Sequence, residues 1–229
     1  MVIVMKKFPF HENIPFKQNE LSVKIEIYTT EESFKPHWHE HIELLYILDG
    51  EGTATCNENT FSIKKGDLVV VNSTQIHTLT PKGGLTYCCV LLYSWFFSDV
   101  EFDVTTIINP LVRKDSFVKE TIEKMIDKKK EDTPYRDMLV KSYAYALMAH
   151  LLENYKEHQM KKKDAVLHVA RLKTADTVLY YINEHYNEKI TSASLAAFCC
   201  MSESYFCRIF KKITSYTPLE YKNLYFSER

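Results

Sequence analysis

Residues 21–100 carry short runs of β-branched and aromatic residues, separated every few positions by turn-forming residues. The first kind of side chain favours strands, whereas glycine, asparagine and aspartate favour turns. Many short strands with closely spaced turns are typical of a β-sandwich or a β-barrel. The runs are LSVKIEIYT, IELLYIL, TATC, FSIK, DLVVV and LTYCCVLLY, and the turn signals are Asp49-Gly50-Glu51-Gly52, Asn57-Glu58-Asn59, Lys65-Gly66-Asp67 and Lys82-Gly83-Gly84.

After Asn109-Pro110 the apolar residues recur with a helical period. Two amphipathic helices are predicted, separated at Thr133-Pro134, and a short connection makes them an antiparallel hairpin. Two interpretations stay open: the apolar faces pack on the strand domain, or they form a dimerisation surface. Those faces hold Val118, Ile122, Met125 and Ile126 in the first helix, and Leu139, Tyr143, Ala146, Leu147 and Leu151 in the second.

Residues 156–164 are polar and have no apolar period, so we expect a helix end and a linker there. A helical pattern resumes from about Ala170 to Tyr186. At residues 189–221 two short helices are predicted across a turn at Met201-Ser202, the first with Thr191 as its N-cap. This arrangement is a helix-turn-helix unit, whose second helix enters the major groove of DNA. The second helix has an apolar stripe of Tyr205, Phe206, Ile209 and Phe210.

The charge is uneven along the chain. The formal net charge is −1, but residues 171–229 carry eight Lys or Arg and six acidic residues, which gives +2 there and −3 for the rest. This mild asymmetry permits nucleic-acid binding by the C-terminal part without requiring it.

Targeting signals and cysteines favour a cytoplasmic protein. No stretch approaches the ~18–20 consecutive apolar residues of a transmembrane helix. Lys6 and Lys7 follow the apolar N-terminal residues instead of preceding them, which is the wrong order for a signal peptide. We therefore expect a cytoplasmic location and no membrane partner. The six cysteines have no C-x-x-C spacing, so buried thiols are expected rather than zinc ligands or disulfides.

The most chemically distinctive segment is PHWHEHIELLYILDG. His37 and His39 alternate on an extended strand, so their side chains point to the same face. Glu43 shares that face if the strand is unbroken, and His77, after the DLVVV run, approaches from a neighbouring strand. Three imidazoles and a carboxylate suit a first-row divalent metal ion. Trp38 lies on the opposite face if the strand is regular, where we expect it to pack in the barrel or at an interface rather than to bind a ligand.

These residues resemble the two motifs of the cupins over roughly residues 30–80. His37-x-His39-x3-Glu43-x6-Gly50 is similar to the first motif, and Gly66-x5-Asn72-x-Thr74-x2-His77 is similar to the second. Glu31, Asn72 and Thr74 stand where cupins usually have a glycine, a proline and a glycine. The resemblance implies a double-stranded β-helix barrel. Proteins with such motifs include metal-dependent cupin enzymes as well as regulators whose cupin-like sensors keep the histidines without metal.

Three interpretations of this cluster stay open. The first is a divalent metal centre at His37, His39, Glu43 and His77. The second is a polar lining of the same residues that hydrogen-bonds a small ligand such as a sugar. In the third, His41 and one or two of the others are merely surface residues.

The C-terminal block resembles the DNA-binding domain of the AraC/XylS family. The pattern S-x-S-Y-F-x-R-x-F-K-K-x-x-x-x-x-P-x-x-Y runs from Ser202 to Tyr221. The resemblance implies that Glu203, Ser204 and Cys207 contact base edges, whereas Arg208 and the Lys211-Lys212 pair contact phosphates. The predicted DNA-facing set is Ser202, Glu203, Ser204, Cys207, Arg208, Lys211 and Lys212.

The DNA-binding domain of that family has two helix-turn-helix units joined by a long helix, and the printed sequence ends at Arg229, inside the expected joining helix. The resemblance therefore implies either a fragment of a longer protein or a shortened regulator. A single unit makes fewer phosphate contacts, and a dimer recovers part of the lost affinity by binding two half-sites.

Together these patterns predict an α+β chain of four segments. Residues 1–110 form a cupin-like ligand-sensing barrel, and residues 111–160 form the hairpin, with dimerisation as its expected role. Residues 161–172 form a linker. Residues 173–229 form the first helix-turn-helix unit of an AraC-type domain.

The favoured hypothesis is a ligand-responsive transcription regulator of AraC type, a homodimer that binds double-stranded DNA and a small-molecule effector such as a sugar. One alternative is a shortened sensor, or a module that titrates a full-length relative, without DNA binding of its own. The other is a metal-dependent cupin enzyme. The enzyme is disfavoured because it has little use for a helix-turn-helix, and neither a Ser-His-Asp signature nor a phosphate loop is present, so no catalytic residue is assigned.

Overall fold

The computed structural model describes residues 11, 12, 14, 21–103, 105–185, 187–214 and 216–226. For residues 224–226 it describes the backbone alone. The expectations drawn from Lys6, Lys7 and Tyr186 fall outside these residues. The chain divides into two compact units. The barrel unit comprises Glu12–Lys161, and the helix-turn-helix unit contains Lys162 and the described residues after it.

The barrel unit is built on one antiparallel sheet in the strand order β1-β5-β2-β4-β7, with β3 paired to β2. A second sheet contains only β6 and β8. The predicted strand-rich, cupin-like fold is thus confirmed. The strands are β1 Val23–Thr30, β2 Ile42–Cys56, β3 Asn59–Lys64, β4 Asp67–Val71, β5 His77–Leu92, β6 Thr106–Ile108, β7 Leu111–Arg113 and β8 Lys156–Gln159.

Two of the four turn signals end strands and two do not. Turns occur at Asn57 and at Lys65-Gly66, as predicted. The signals at residues 49–52 and 82–84 instead lie inside β2 and β5, which pair with each other through register shifts. Bulges bend a strand without ending it, so a glycine-rich stretch alone does not distinguish a bend from a turn.

Bending of the β2–β5 ribbon closes the barrel. Glu43 pairs with Leu91 at one end of the ribbon and Cys56 with His77 at the other, which in a straight ribbon puts the two ends about 40 Å apart. Nevertheless His77 Nε2 lies 3.1 Å from Glu43 Oε2. The ribbon therefore folds back on itself, and its register shifts lie between Ile47 and Gly52.

Glycine is required at the bend because the two strands approach closely there. A Cβ on Gly50, whose φ is +87°, would lie 2.2 Å from the carbonyl oxygen of Gly84. A Cβ on Gly52 would lie 2.4 Å from the carbonyl oxygen of Thr80. No side chain fits at either position without a shift of backbone.

Both faces of the sheet are covered. Alternate residues of β2, β4 and β5 point into the barrel, among them Leu45, Val69 and Cys89. Their neighbours Leu44, Val70 and others point outward against the helical hairpin. This double burial explains why all five residues of the DLVVV strand are buried, since a strand covered on both faces has no polar side.

The predicted hairpin consists of α1 Ser116–Lys130 and α2 Arg136–Tyr155. Its apolar face belongs to the same core as the outer face of the sheet, as in the interpretation that it packs on the strand domain. In α2 the buried face differs in part from the predicted face. Val140 and Ala144, which were not predicted, are buried, whereas the predicted Ala146 is exposed. Dimerisation through the hairpin stays a prediction.

The segment after the hairpin differs from the expectation. Residues 156–159, predicted as a helix end and linker, form strand β8 against β6. Residues 162–172, predicted as linker, form the first half of helix α3. The start of this helix, Lys162-Lys163-Asp164, is polar and therefore has no apolar period that would predict a helix. Asp164 nevertheless favours a helix start, because an acidic residue in the first turn interacts favourably with the positive end of the helix dipole.

The helix-turn-helix unit contains α3 Lys162–Glu184, α4 Ser192–Phe198, α5 Glu203–Thr214 and α6 Pro218–Phe226. Thr191 caps α4 as predicted, since its Oγ1 accepts a hydrogen bond from the Ser194 N–H at 3.0 Å. The turn between α4 and α5 includes Cys200 at φ +54°. Within the described residues, no helix combines the length and apolar character that crossing a membrane requires.

The cysteines only partly follow the expectation of buried thiols. Cys56, Cys88 and Cys89 are buried in the barrel unit. Cys199 and Cys207 are half-buried and Cys200 is exposed, so the expectation was wrong for the helix-turn-helix unit, where short helices leave the turn open to solvent. All six cysteines are free thiols.

The bend of the ribbon yields a matched pair of variants. A Cβ added to Gly66, whose φ is +88°, would meet nothing within 4 Å, whereas Gly50 has nearly the same φ and a close contact. We expect Gly66→Ala to lower the free energy of unfolding of the barrel unit by about 1–2 kcal/mol, and Gly50→Ala to lower it by about 1–3 kcal/mol more through overlap. Urea unfolding followed by Trp fluorescence measures both, and equal losses would contradict the close approach.

Asp115 supplies a pH-dependent contact between the two helices of the hairpin. Its carboxylate caps α1 through the Val118 N–H at 2.9 Å and contacts His150 and Tyr155 of α2 at 2.8 and 2.7 Å. Partial burial raises the pKa of Asp115, but the hydrogen bonds from His150, Val118 and Tyr155 outweigh burial and lower the pKa to about 2.

Because the pKa of Asp115 is lower in the folded than in the unfolded state, the charged carboxylate stabilises the fold. This stabilisation is fully present above the unfolded pKa of ~3.9 and is lost as the pH falls towards about 2. Asp115→Asn keeps a capping oxygen but removes the charge. We therefore expect the variant to be less stable than the wild type at pH 6, with the difference shrinking at pH 4 and pH 3 in urea titrations. A difference independent of pH would show that the charge is unimportant.

Candidate functional site

The four predicted site residues of the barrel come together in the structure. His37 and His77 exchange two backbone hydrogen bonds, of 3.1 and 2.9 Å, so their side chains lie side by side with ring centroids 4.0 Å apart. The carbonyl oxygen of His39 accepts from the Thr74 N–H at 2.9 Å. Glu43, at the start of β2, completes the group, and the potential ligand atoms of the four residues lie within 4.8 Å of one another.

A backbone carbonyl group holds each imidazole of this cluster. The Nδ1 atoms of His37, His39 and His77 lie 2.9, 3.2 and 3.0 Å from the carbonyl oxygens of Lys35, His41 and Gln75, in that order. Since a carbonyl oxygen only accepts, each Nδ1 carries a proton, and in a neutral ring Nε2 then has a free lone pair. Such outer contacts are typical of histidines that ligate metals.

The Nε2 atoms point towards the carboxylate of Glu43. Glu43 Oε2 lies 3.5 Å from His39 Nε2 and 3.1 Å from His77 Nε2. Both Nε2 atoms are buried, and both face this one carboxylate. The two rings and the carboxylate thus converge at one point, where a shared cation, either a proton or a metal ion, offsets the cost of burying them.

The protonation states suit ligation. Burial raises the pKa of Glu43, but the imidazoles of His39 and His77 outweigh burial and hold it well below its usual range, so the carboxylate is ionised. Burial, followed by the neighbouring His77, lowers the pKa of His37, which favours the neutral ring. Neutral imidazoles and a carboxylate are the forms that bind divalent metals.

The geometry also fits a metal ion after small adjustments. Nitrogen and oxygen ligands of a first-row ion lie about 2.0–2.2 Å from it, so they are about 3–4 Å from one another. The four potential ligand atoms now lie within 4.8 Å of one another. Small side-chain rotations towards the centre bring them to the shorter separations that a metal ion requires. The residues present therefore fit a divalent cation.

Several residues around the cluster were missed from the sequence. Cys89 donates its thiol hydrogen to Glu43 Oε1 at 3.0 Å, and Glu12 Oε2 lies 3.4 Å from His37 Nε2. Tyr87 lies on the inner face of β5 with Cys89, and its ring centroid is 5.6 Å from that of the exposed Tyr28, with the two rings tilted by 34°. The alternation Tyr87, Cys89, Leu91 could have indicated the inward face of β5, whereas no local pattern connects Glu12 to the site.

The two other aromatic residues of the motif have clear positions. Trp38 is buried at 1% exposure, as expected for barrel packing. His41 is also buried, so the interpretation of His41 as a surface residue was wrong. Its Nδ1 accepts a hydrogen bond from the Ser94 N–H at 3.1 Å and its ring contacts Tyr93 edge-on, because the chain turns inward between His39 and β2.

The predicted DNA-facing residues share one side of α5, except Ser202, which directly precedes the helix. Phe206, Ile209 and Phe210 form its buried side, and Tyr205, expected in the core, is half-buried. On the side opposite these residues Cys207 is half-buried and the others are exposed, namely Glu203, Ser204, Arg208, Lys211 and Lys212. Ser202, before the helix, is exposed as well.

The basic residues of α5 have different surroundings. The Arg208 guanidinium lies 5.5 Å from the centre of the Tyr205 ring, which orients it along the helix. Lys211 Nζ lies 4.0 Å from Glu220 Oε2 of α6. An exposed ion pair of this length contributes little, so it leaves the Lys211 charge available to an anionic partner.

Both units match models of known protein families. Residues 22–148 match the AraC-like ligand binding domain. Residues 182–222 match the bacterial regulatory helix-turn-helix proteins of the AraC family. The first match alone covers more than half of the chain.

Two curated relatives extend across both units. The uncharacterized HTH-type transcriptional regulator YdeC of Bacillus subtilis (strain 168) is 26% identical over 205 residues, covering 81% of this chain and 67% of the relative. YdiP of Escherichia coli (strain K12), named in the same way, is 25% identical over 205 residues, covering 81% of this chain and 63% of the relative. The chain thus spans about two thirds of the length of these relatives.

A solved structure has a similar fold. It is wild-type ToxT from Vibrio cholerae strain SCE256 with an unsaturated fatty acid bound, with a TM-score of 0.50 at 13% identity, covering 91% of this chain and 97% of ToxT. The family matches and the regulator relatives also agree with the expectation that the chain is not an enzyme. The chain belongs to the AraC family of helix-turn-helix proteins, whose members are ligand-responsive, DNA-binding transcription regulators.

Proposed function

We propose that this chain is a ligand-responsive transcription regulator whose barrel is occupied at His37, His39, Glu43 and His77 and whose helix α5 contacts double-stranded DNA. The observation that carries the barrel part is the convergence of the buried Nε2 atoms of His39 and His77 on the ionised carboxylate of Glu43. A cation satisfies all of these groups at once. The proposed occupant is therefore a divalent metal ion, which supplies a positive centre for an effector with oxygen ligands.

A metal-free site is the second candidate. The same polar groups, beside Tyr28 and Tyr87, form a lining that hydrogen-bonds a small polar effector such as a sugar. The fatty acid bound by ToxT supports a small-molecule occupant for this fold in general. The two candidates differ in whether effector binding requires metal.

We expect the metal-depleted 229-residue chain to bind one Co²⁺ ion, with quenching of Trp38 fluorescence, since Trp38 lies between two of the proposed ligands in the sequence. Glu43→Gln and His77→Gln should each weaken the binding by about 100-fold or more, because each removes a direct ligand. Isothermal titration calorimetry measures the affinity and stoichiometry.

His185→Gln is the matched control for this titration, because His185 pairs with Glu188 in the other unit and its substitution should leave Co²⁺ affinity unchanged. Binding that survives both site variants, or no binding at millimolar Co²⁺, would rule out the metal centre. A sugar that raises the melting temperature of metal-free protein would then support the second candidate.

The DNA-binding part rests on the exposed face of α5. Arg208, Lys211 and Lys212 are placed to contact phosphates, and Ser204 lies near the start of the helix, where side chains reach base edges. A homodimer is part of the proposal because one unit contacts a single half-site, and two copies span half-sites one helical turn apart.

Fluorescence anisotropy with DNA from upstream of its own gene tests this assignment. We expect Arg208→Ala and Lys212→Ala each to weaken binding to all sequences and to reduce the salt slope by about one. Ser204→Ala should instead change the preference between sequences. Lys119→Ala, an exposed lysine of α1, is the control.

Equal binding to upstream and scrambled DNA, unaffected by the α5 variants, would contradict DNA reading by this chain. It would favour the sensor or titrating module, for which mixing with a full-length relative should give a hetero-oligomer.

A further inference from the structure

We propose that Asn72 and Gln75 couple the barrel site to strand β8, the segment from which the chain enters the helix-turn-helix unit. The inference rests on the proposed role of the His77 cluster as the place where a metal ion or effector binds. It concerns the regulation of that site: occupancy of the cluster favours the pairing of β8 with β6.

The first link joins His77 to Asn72 within one loop. His77 Nδ1 donates to the Gln75 carbonyl oxygen at 3.0 Å, so the position of the ring depends on the position of Gln75. The side-chain oxygen of Gln75 accepts from the Asn72 backbone N–H at 2.9 Å and from Asn72 Nδ2 at 3.3 Å. The loop is thus closed by its own hydrogen bonds, and the imidazole and the Asn72 amide move together.

The second link joins Asn72 to β6. Asn72 is 2% exposed, and its amide both donates to the Ile108 carbonyl oxygen at 2.9 Å and accepts from the Ile108 N–H at 2.8 Å. One side chain therefore satisfies both backbone groups of a fully buried residue, as a neighbouring strand would. Water cannot replace these bonds at a buried position without cost. The proline expected from the cupin motif offers neither group.

The third link joins β6 to β8. The two strands pair from Thr106 with Gln159 to Ile108 with Lys156, and the Met160 N–H donates to the Thr105 carbonyl oxygen at 2.9 Å. Gln159 Nε2 adds a bond to Asp103 Oδ2 at 2.7 Å. Helix α3 then begins at Lys162.

Strand β8 has the properties of a local two-state element. All four of its residues are exposed, so it is held mainly by hydrogen bonds and not by apolar burial. Such segments open at low free energy. When β8 is paired, only Met160 and Lys161 separate it from α3; when it is open, the connection lengthens to residues 156–161.

A ligand that fixes His77 restricts the loop and, through Asn72, restricts Ile108. Such a ligand binds the paired state better than the open state and shifts the equilibrium towards pairing. Linkage makes the effect reciprocal: a contact that needs the longer connection weakens binding at the barrel site.

Hydrogen–deuterium exchange of the 229-residue chain tests this coupling with a double-mutant cycle. We expect His77→Ala to speed exchange of the amides at residues 156–160 about tenfold, the effect of one hydrogen bond on an opening equilibrium. Asn72→Ala should do the same, and His77→Ala should add little in the Asn72→Ala background. A purely structural role of Asn72 predicts additive effects instead.

Ser73→Ala is the matched control, because Ser73 Oγ donates to the Glu40 carbonyl oxygen from the same loop without joining the relay. It should leave exchange at residues 156–160 unchanged. If Asn72→Ala loses protection throughout the barrel, Gln75→Ala replaces it in the cycle, since it removes only the bonds from Gln75 to Asn72. An effect of His77→Ala below twofold, or additive effects, would overturn the coupling.

Addition of Co²⁺ alone separates this inference from the proposed metal site. Binding, read from Trp fluorescence, should slow exchange at residues 156–160 in the wild type but not in Asn72→Ala. Binding without slowing would overturn the coupling. If Co²⁺ does not bind, the proposed metal centre fails, and the mutant cycle by itself decides the coupling.

Discussion

The sharp bend of the β2–β5 ribbon is the constraint on which the barrel and its site depend. His37 and His39 precede β2, Glu43 lies at its start, and His77 begins β5 at the far end of the ribbon. These groups meet only because the ribbon folds back where Gly50 and Gly52 permit backbone contact. The contacts of His77 with His37 and Glu43 therefore depend on two positions that carry no functional group.

The cluster combines groups that are costly to bury together. Burying imidazoles beside an ionised carboxylate costs free energy, which a shared cation offsets. Carbonyl contacts to each Nδ1 prevent the rings from turning away to form other hydrogen bonds. The fold thus maintains a binding-competent arrangement at the expense of stability, as binding sites commonly do.

Function in such a regulator requires communication between a sensor and a DNA-binding unit. The barrel unit ends in the exposed strand β8, which is held by hydrogen bonds to β6, and the buried Asn72 amide joins β6 to the loop bearing His77. This path consists of ordinary hydrogen bonds between neighbours. The element that can change state lies at the chain segment leading to the helix-turn-helix.

The sequence by itself determined the strand-rich half, the hairpin, the Thr191 cap and the exposed face of α5, because each follows from a local period or a capping rule. It also indicated His37, His39, Glu43 and His77 through motif spacing. It did not show that residues 49–52 bend a strand instead of ending it, that His41 is buried, that 156–159 form a strand, or that Cys89 and Glu12 adjoin the site. These features depend on contacts between residues distant in the chain, and only the tertiary structure decided them.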